Sequence, residues 1–260
     1  VEPARVSCSL GEAVRAAKPG DPVWFDDGKI GGEVEATAPD GVLVRVTRAP
    51  ERGARLRADK GINFPGSTAD CPALTPHDRT DLDFVARHAD LVGLSFLRAP
   101  RDIAELHTEL ERRAAGALGV VLKIETEHAF QRLPELLLEA MRCESAGVMI
   151  ARGDLAIECG YERLAEVQEE ILWLCEAAHV PVVWATQVLE SLAKTGFPSR
   201  AEVTDAAMGE RAECVMLNKG PFLGETVRTL DDILRRMQAH QEKKSAMLRR
   251  LEVSALPPCD

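Results

Sequence analysis

The sequence predicts an α/β fold of repeated strand-helix units behind a small all-β module, and three observations point there. Five short apolar runs recur roughly every 28 to 34 residues, the length of one β-α unit. Amphipathic segments lie between them, with Leu, Ile, Val and Ala at three- and four-residue spacing and Glu, Arg and Lys on the other face. Ahead of both, Asp-Gly pairs separate short alternating segments, which is a hairpin signal.

The β module comes first. Pro22 to Phe25, Lys29 to Glu35 and Val42 to Val46 read as strands, separated by the turns Asp26-Asp27-Gly28 and Pro39-Asp40-Gly41. A charged stretch from Arg48 to Lys60 leads to Gly61-Ile62-Asn63-Phe64-Pro65-Gly66, where two Gly and a Pro mark a hinge-like connection. The domain boundary is expected there, with residues 1–66 as the small β domain and 67–260 as the larger portion.

Next come Leu91 to Leu97, Gly119 to Ile124, Gly147 to Ala151, Pro181 to Ala185 and Cys214 to Leu217. Each is apolar on successive residues and is expected to be a fully buried parallel strand. Helices are expected over Asp102 to Ala115, Glu127 to Ala140, Leu164 to Ala178 and Glu225 to His240. Periodicity alone does not choose between an open doubly wound sheet and a closed barrel. Five strands complete an open sheet but only part of an eight-stranded barrel, so on period alone a flavodoxin-like domain with a β appendage is favoured.

Bulk properties narrow the function. At 260 residues the chain can bury a substantial core, and with only 4% aromatic residues that core must be aliphatic. A net charge of -10 argues against nucleic-acid or anionic-membrane partners, which need a positive field. The seven cysteines are scattered, with no Cys-x-x-Cys pair, which fits free thiols in a reducing compartment and a cytoplasmic location. No apolar run approaches the ~18 residues of a spanning helix. The first residue is Val, which fits a chain that begins inside a longer reading frame.

Polar residues break the apolar runs at their C-terminal ends: Ser95 and Arg98, Lys123 and Glu125, Arg152 and Asp154, Thr186 and Gln187, Asn218 and Lys219. Both β/α architectures build their sites at that edge. For any one position a solvated exit from the core is the better explanation; five in succession favour a site. Strand alternation sends Lys123 and Glu125 to one side and Ile124 to the other. They form either a simple ion pair, or a site in which Glu125 and Asp154 hold a hard divalent cation while Lys123 stabilises an oxyanion. Arg152-Gly153-Asp154 places a Gly where a strand turns towards a helix, which suits an anionic ligand on backbone N–H groups, although ordinary tight turns also need Gly.

Taken in order, several blocks resemble the pyruvate kinase family: Asp26-Asp27-Gly28; Lys60 to Gly66; Leu74-Thr75 with Asp78 to Phe84; Ser95-Phe96-Leu97-Arg98; Lys123-Ile124-Glu125; Ala151-Arg152-Gly153-Asp154-Leu155; Ala185-Thr186-Gln187 with Leu189-Glu190-Ser191; and Arg200-Ala201-Glu202 with Asp205. Blocks in family order and spacing are far more specific than any one alone. The resemblance implies a partial (β/α)8 TIM-barrel type fold of about five β/α units, strands four to eight, with a small all-β B domain capping the site. It implies phosphoryl transfer from phosphoenolpyruvate to ADP, giving pyruvate and ATP, in glycolysis. Lys123 is similar to the lysine that stabilises the enolate and the transferring phosphoryl group. Glu125 and Asp154 look like the ligands of Mg²⁺ or Mn²⁺, Gly153 and Asp154 would present backbone N–H groups to the substrate carboxylate, and Thr186 looks like the residue that binds substrate and assists protonation.

The chain also departs from the family. The first three barrel strands, with an Arg for the phosphoryl group and the ligands of K⁺, are not found in it, so it is expected either to be a fragment or to associate with a missing barrel half or as a homo-oligomer. Asn218-Lys219-Gly220-Pro221-Phe222 stands where the family has a Ser-Gly-Glu-Thr run, and Ala156 replaces a Gly, so nucleotide contacts are expected to differ. The chain ends soon after a segment carrying Lys243, Lys244, Arg249 and Arg250, so no C-terminal regulatory domain is expected. Alternatives are a Mg²⁺-dependent pyruvate-enolate lyase, distinguished by independence of nucleotide, and a non-catalytic pseudoenzyme or binding module.

Overall fold

A computed structural model describes residues 4–58, 60–66 and 72–241. The basic residues Lys243, Lys244, Arg249 and Arg250, and two of the cysteines, Cys71 and Cys259, lie outside the described residues.

A short helix, α1 (Gly11–Ala16), precedes the strands β1 (Pro22–Phe25), β2 (Ile30–Ala38), β3 (Gly41–Arg48) and β4 (Ile62–Asn63). They form one antiparallel sheet in the order β3-β2-β1-β4. The β1-β2 turn requires three successive left-handed residues, Asp26 (φ 51°), Asp27 (φ 54°) and Gly28 (φ 79°). Asp tolerates this region better than most side chains, and Gly has no penalty there. The Asp26 carboxylate pairs with Lys60 at 2.8 Å and Lys29 at 2.9 Å. Those hydrogen bonds, Lys60 first and then Lys29, hold its carboxyl below the usual range. The Asp26 backbone N–H also bonds the Gly61 carbonyl at 3.0 Å, so this turn is tied to the segment that leads into β4. A small core of Ala17, Val23, Phe25 and Val34 lies beneath the sheet.

The rest of the described chain alternates strand and helix: α2 (Pro76–His88), β5 (Leu91–Leu94), α3 (Pro100–Glu111), β6 (Gly119–Ile124), α4 (Glu127–Gln131), α5 (Leu133–Ala140), β7 (Ala146–Ala151), α6 (Arg152–Cys159), α7 (Leu164–Ala178), β8 (Val182–Val188), α8 (Glu190–Thr195), α9 (Arg200–Met208), β9 (Cys214–Leu217) and α10 (Leu223–Gln241). The strands β5 to β9 are all parallel, and each lies beside its neighbour in sequence. A doubly wound sheet reverses its strand order at a switch point. Consecutive order with right-handed crossovers instead carries every helix to one face, as in a barrel wall. This decides against the flavodoxin-like alternative that periodicity alone favours and bears out the fold the resemblance implies: α/β, with a partial barrel of five parallel strands and a small antiparallel sheet.

On β6, Val120, Leu122 and Ile124 point into the helix layer and are buried. They pack with Val148, Ile150, Val182 and Trp184 of the adjoining strands and with Leu106, Leu133, Leu136 and Ile171 of the helices. The expectation of five fully buried strands fails at the two edges, where Leu91 of β5 is 62% exposed and Met216 of β9 is 39% exposed. An edge strand has a neighbour on one side only.

The helix expected over Glu127 to Ala140 is broken into α4 and α5 at Arg132 (φ -103°, ψ 12°). Pro134 has no N–H and its ring would clash with the carbonyl one turn back, so the two segments cannot be one continuous helix. Helix α2 was not expected. Its sequence is largely charged, only Leu82 is buried, and it is set by the reciprocal Thr75–Asp78 capping box followed by Pro76. No described helix is long and apolar enough to cross a membrane.

Candidate active site

The site is built from the C-terminal ends of β6, β7 and β8. Lys123 Nζ lies 2.6 Å from Glu125 Oε1 and donates to Ser95 Oγ at 2.8 Å, while Ile124 between them is buried on the helix side. Glu125 is only 2% exposed, and its second oxygen accepts the Phe96 N–H at 2.8 Å. Burial raises the Glu125 pKa most; Lys123 and the Phe96 N–H oppose this, and the negative charge of Asp154 adds to the rise. The ion pair anticipated as one alternative is therefore present, and Lys123 is engaged by both Glu125 and Ser95.

Helix α6 begins directly at the end of β7, so Arg152, Gly153 and Asp154 form its first turn, whose backbone N–H groups have no partner within the helix. Asn63 of β4 donates from Nδ2 to Asp154 Oδ1 at 3.0 Å, bringing the β module to this turn. Gly153 is required by close approach. A Cβ there would stand 2.9 Å from Thr186 Cγ2, a separation that real Cβ contacts do not show. Thr186 (φ 73°) and Gln187 (φ 59°) are left-handed, so β8 bulges outward here before pairing resumes at Val188 with Leu217.

Two contact systems were not assigned from sequence. Arg152, 8% exposed, reaches back to β8, where Nε donates to the Ala185 carbonyl at 2.7 Å and a terminal nitrogen donates to the Thr186 carbonyl at 2.5 Å. Its guanidinium also pairs with Asp205 and stacks over Trp184, 4.6 Å from the ring centroid. The Arg-Gly-Asp string and the apolar-run ending were visible, but the direction of the Arg side chain was not. Glu158, on α6, is the second. Burial pushes its pKa up to about 7, the charges of Asp154 and Glu127 add to the rise, and the Glu127 backbone N–H opposes it. The signal that could have found Glu158 is its spacing of one helical turn from Asp154.

A cleft of about 2030 Å³ opens between the β module and the strand ends, with Lys60, Asn63, Ser95, Arg98, Asp154 and Glu158 in its wall. Asn218 turns elsewhere, donating to Glu190 Oε1 at 2.9 Å, and Gln187 is exposed. Among the described residues no group of three or more His, Cys, Asp or Glu could hold a metal ion. Glu125 and Asp154 are two hard oxygen donors whose mutual repulsion adds to the cost of keeping Glu125 charged. That donor set fits Mg²⁺ or Mn²⁺, which commonly takes one or two carboxylates and completes its shell with water and substrate oxygens.

Fold and strand-end cluster together define a β/α-barrel protein of the kind that gathers its chemistry on the C-terminal edge of the strands. The family described as "Pyruvate kinase, barrel domain" matches residues 2–228, and the chain belongs to the pyruvate kinase family. Among curated relatives, it is 36% identical over 233 residues to "Pyruvate kinase PKLR" of Homo sapiens, covering 87% of this chain and 39% of that protein. It is 35% identical over 234 residues to "Pyruvate kinase" of Methylorubrum extorquens, covering 87% and 46%. With "Pyruvate kinase" of Thermotoga maritima the identity is 32% over 250 residues, covering 95% and 52%. The chain thus spans about half the length of the curated relatives it matches.

Proposed function

We propose that this chain carries the enolate-handling half of a pyruvate kinase site, which transfers a phosphoryl group from phosphoenolpyruvate to ADP. The observation that carries this reading is the convergence of Lys123 on β6 and Glu125 just beyond its end with Gly153 and Asp154 at the first turn of α6 and Thr186 on β8. Glu125 and Asp154 would hold Mg²⁺ or Mn²⁺, which supplies positive charge to the phosphoryl and enolate oxygens when bound. Lys123, two residues before Glu125 and directed to the same side, donates its N–H bonds to oxygens where negative charge develops. The free N–H groups of Gly153 and Asp154 bind the substrate carboxylate. Thr186 closes against Gly153 and, through its hydroxyl, helps bind substrate and deliver the proton to the methylene carbon, directly or through water.

The exposed edge residues Leu91 and Met216 support association of this portion with the strands that complete a barrel, whether from a second copy of the chain or from a separate half. K⁺ dependence would come with those strands. The described cysteines Cys8, Cys143, Cys159, Cys175 and Cys214 are free, in keeping with the proposed cytoplasmic setting. The test is ATP formation from phosphoenolpyruvate and ADP with Mg²⁺, comparing the parent chain with Lys123→Met. Lysine-dependent ATP formation supports the reading. Turnover of a pyruvate-enolate substrate without any nucleotide requirement would replace it with a lyase, and a folded chain that binds neither substrate nor metal would make it a binding module.

A further inference from the structure

Thr186 sits at φ 73°, a region that β-branched side chains avoid because Cβ crowds the neighbouring peptide. Such a conformation persists only where surrounding contacts over-determine it. Two hydrogen bonds that brace it come from one side chain. The Arg152 guanidinium donates to the carbonyls of Ala185 and Thr186, the two peptides that flank the left-handed residue, at 2.7 and 2.5 Å. Its own orientation is set from two other directions, by the Asp205 carboxylate of α9 and by the Trp184 ring of β8. The planar fork of an Arg can bond two adjacent carbonyls at once, which a Lys ammonium on a flexible stem cannot reproduce.

We infer that Arg152 is a positioning residue that clamps the strained Thr186 peptide, so that the first turn of α6 and the bulge of β8 keep one fixed separation. The close fit of Gly153 against Thr186 Cγ2 is the feature this clamp maintains. Arg152 itself is buried and all its bonds described above run to protein groups, so it acts through Thr186. The catalytic consequence rests on the role proposed for Thr186; the clamp itself does not.

The experiment is amide hydrogen exchange on the full chain, comparing the parent with Arg152→Lys, and repeating the comparison in a Thr186→Gly background where the left-handed residue is unstrained. Asp205→Asn serves as a second variant that loosens the clamp without removing the Arg. Exchange at residues 185–188 should accelerate about tenfold in Arg152→Lys and less in Asp205→Asn, with β6 amides unchanged. In the Thr186→Gly background the acceleration should largely vanish. Equal acceleration in both backgrounds, or a uniform rise across the sheet, would overturn the clamp. Pyruvate methyl-proton exchange on the same variants should show a lower kcat at unchanged KM. A parent chain with no such exchange would count against the function proposed above while leaving the hydrogen-exchange result standing.

Discussion

Asn63 of the small β module donates a 3.0 Å hydrogen bond to Asp154, the first acidic residue of α6. A contact between a side chain of the β module and a candidate metal ligand makes the position of one depend on the other. The bond occupies one oxygen of Asp154 and orients the carboxylate. Outer partners of this kind typically change metal affinity about 10- to 100-fold when removed. Asn63→Ala is expected to weaken Mn²⁺ binding, measured by electron paramagnetic resonance, by about tenfold. Unchanged affinity would mean that the bond only docks the module.

The Lys123–Glu125 pair predicts a thermodynamic cycle. Removing the ammonium leaves the buried Glu125 without its main charge partner, so Lys123→Met should cost about 2 kcal/mol at neutral pH, tempered by protonation of the acid. The double variant Lys123→Met/Glu125→Gln removes the orphaned charge and should recover most of that loss in urea unfolding. Additive losses would show that the two side chains are not coupled in the fold.

Glu158 predicts a pH dependence. Its carboxyl has an ordinary value of 4.5 and a folded value of about 7, so the folded state holds the proton more tightly. Between those values the native chain binds more protons than the unfolded one, and stability falls as pH rises. Glu158→Gln should therefore unfold like the parent near pH 4 and be more stable than it at pH 8. The full shift corresponds to about 3 kcal/mol. A difference of the same size at both pH values would contradict the assignment.

Gly220 is a test of the junction between α8 and α10. A Cβ there would lie 2.0 Å from the Ala193 carbonyl oxygen, which already accepts the Phe222 N–H at 3.1 Å. Backbone cannot move aside as a flexible side chain can, so Gly220→Ala should destabilise the chain by about 1–3 kcal/mol in chemical denaturation. A neutral substitution would show that this turn is loosely held.

Much of the barrel portion was legible because its strands are apolar on successive residues. Gly119–Ile124 and Cys214–Leu217 run between the expected limits, and helix Leu164–Ala178 does as well. Strand β8 was expected to end at Ala185 and continues to Val188, because the polar, left-handed Thr186 and Gln187 interrupt the pattern without ending the pairing. Helix α2 was missed because capping, not an apolar stripe, defines it. At the site, alternation was enough to place Lys123 beside Glu125. It could not show Arg152 turning back to the carbonyls of β8 or Asn63 reaching Asp154, since both contacts join segments far apart in sequence and depend on how the layers pack.

The most direct test of the central claim is exchange of the pyruvate methyl protons in D₂O with Mg²⁺, followed by proton NMR on the purified chain. Enolisation draws on the metal site, Lys123 and the proton relay at Thr186, which are the groups this chain is proposed to contribute. Mg²⁺-dependent loss of the methyl signal is expected, slowed by about 10²- to 10³-fold in Lys123→Met. A folded parent chain that exchanges no faster than its Lys123→Met variant would contradict it.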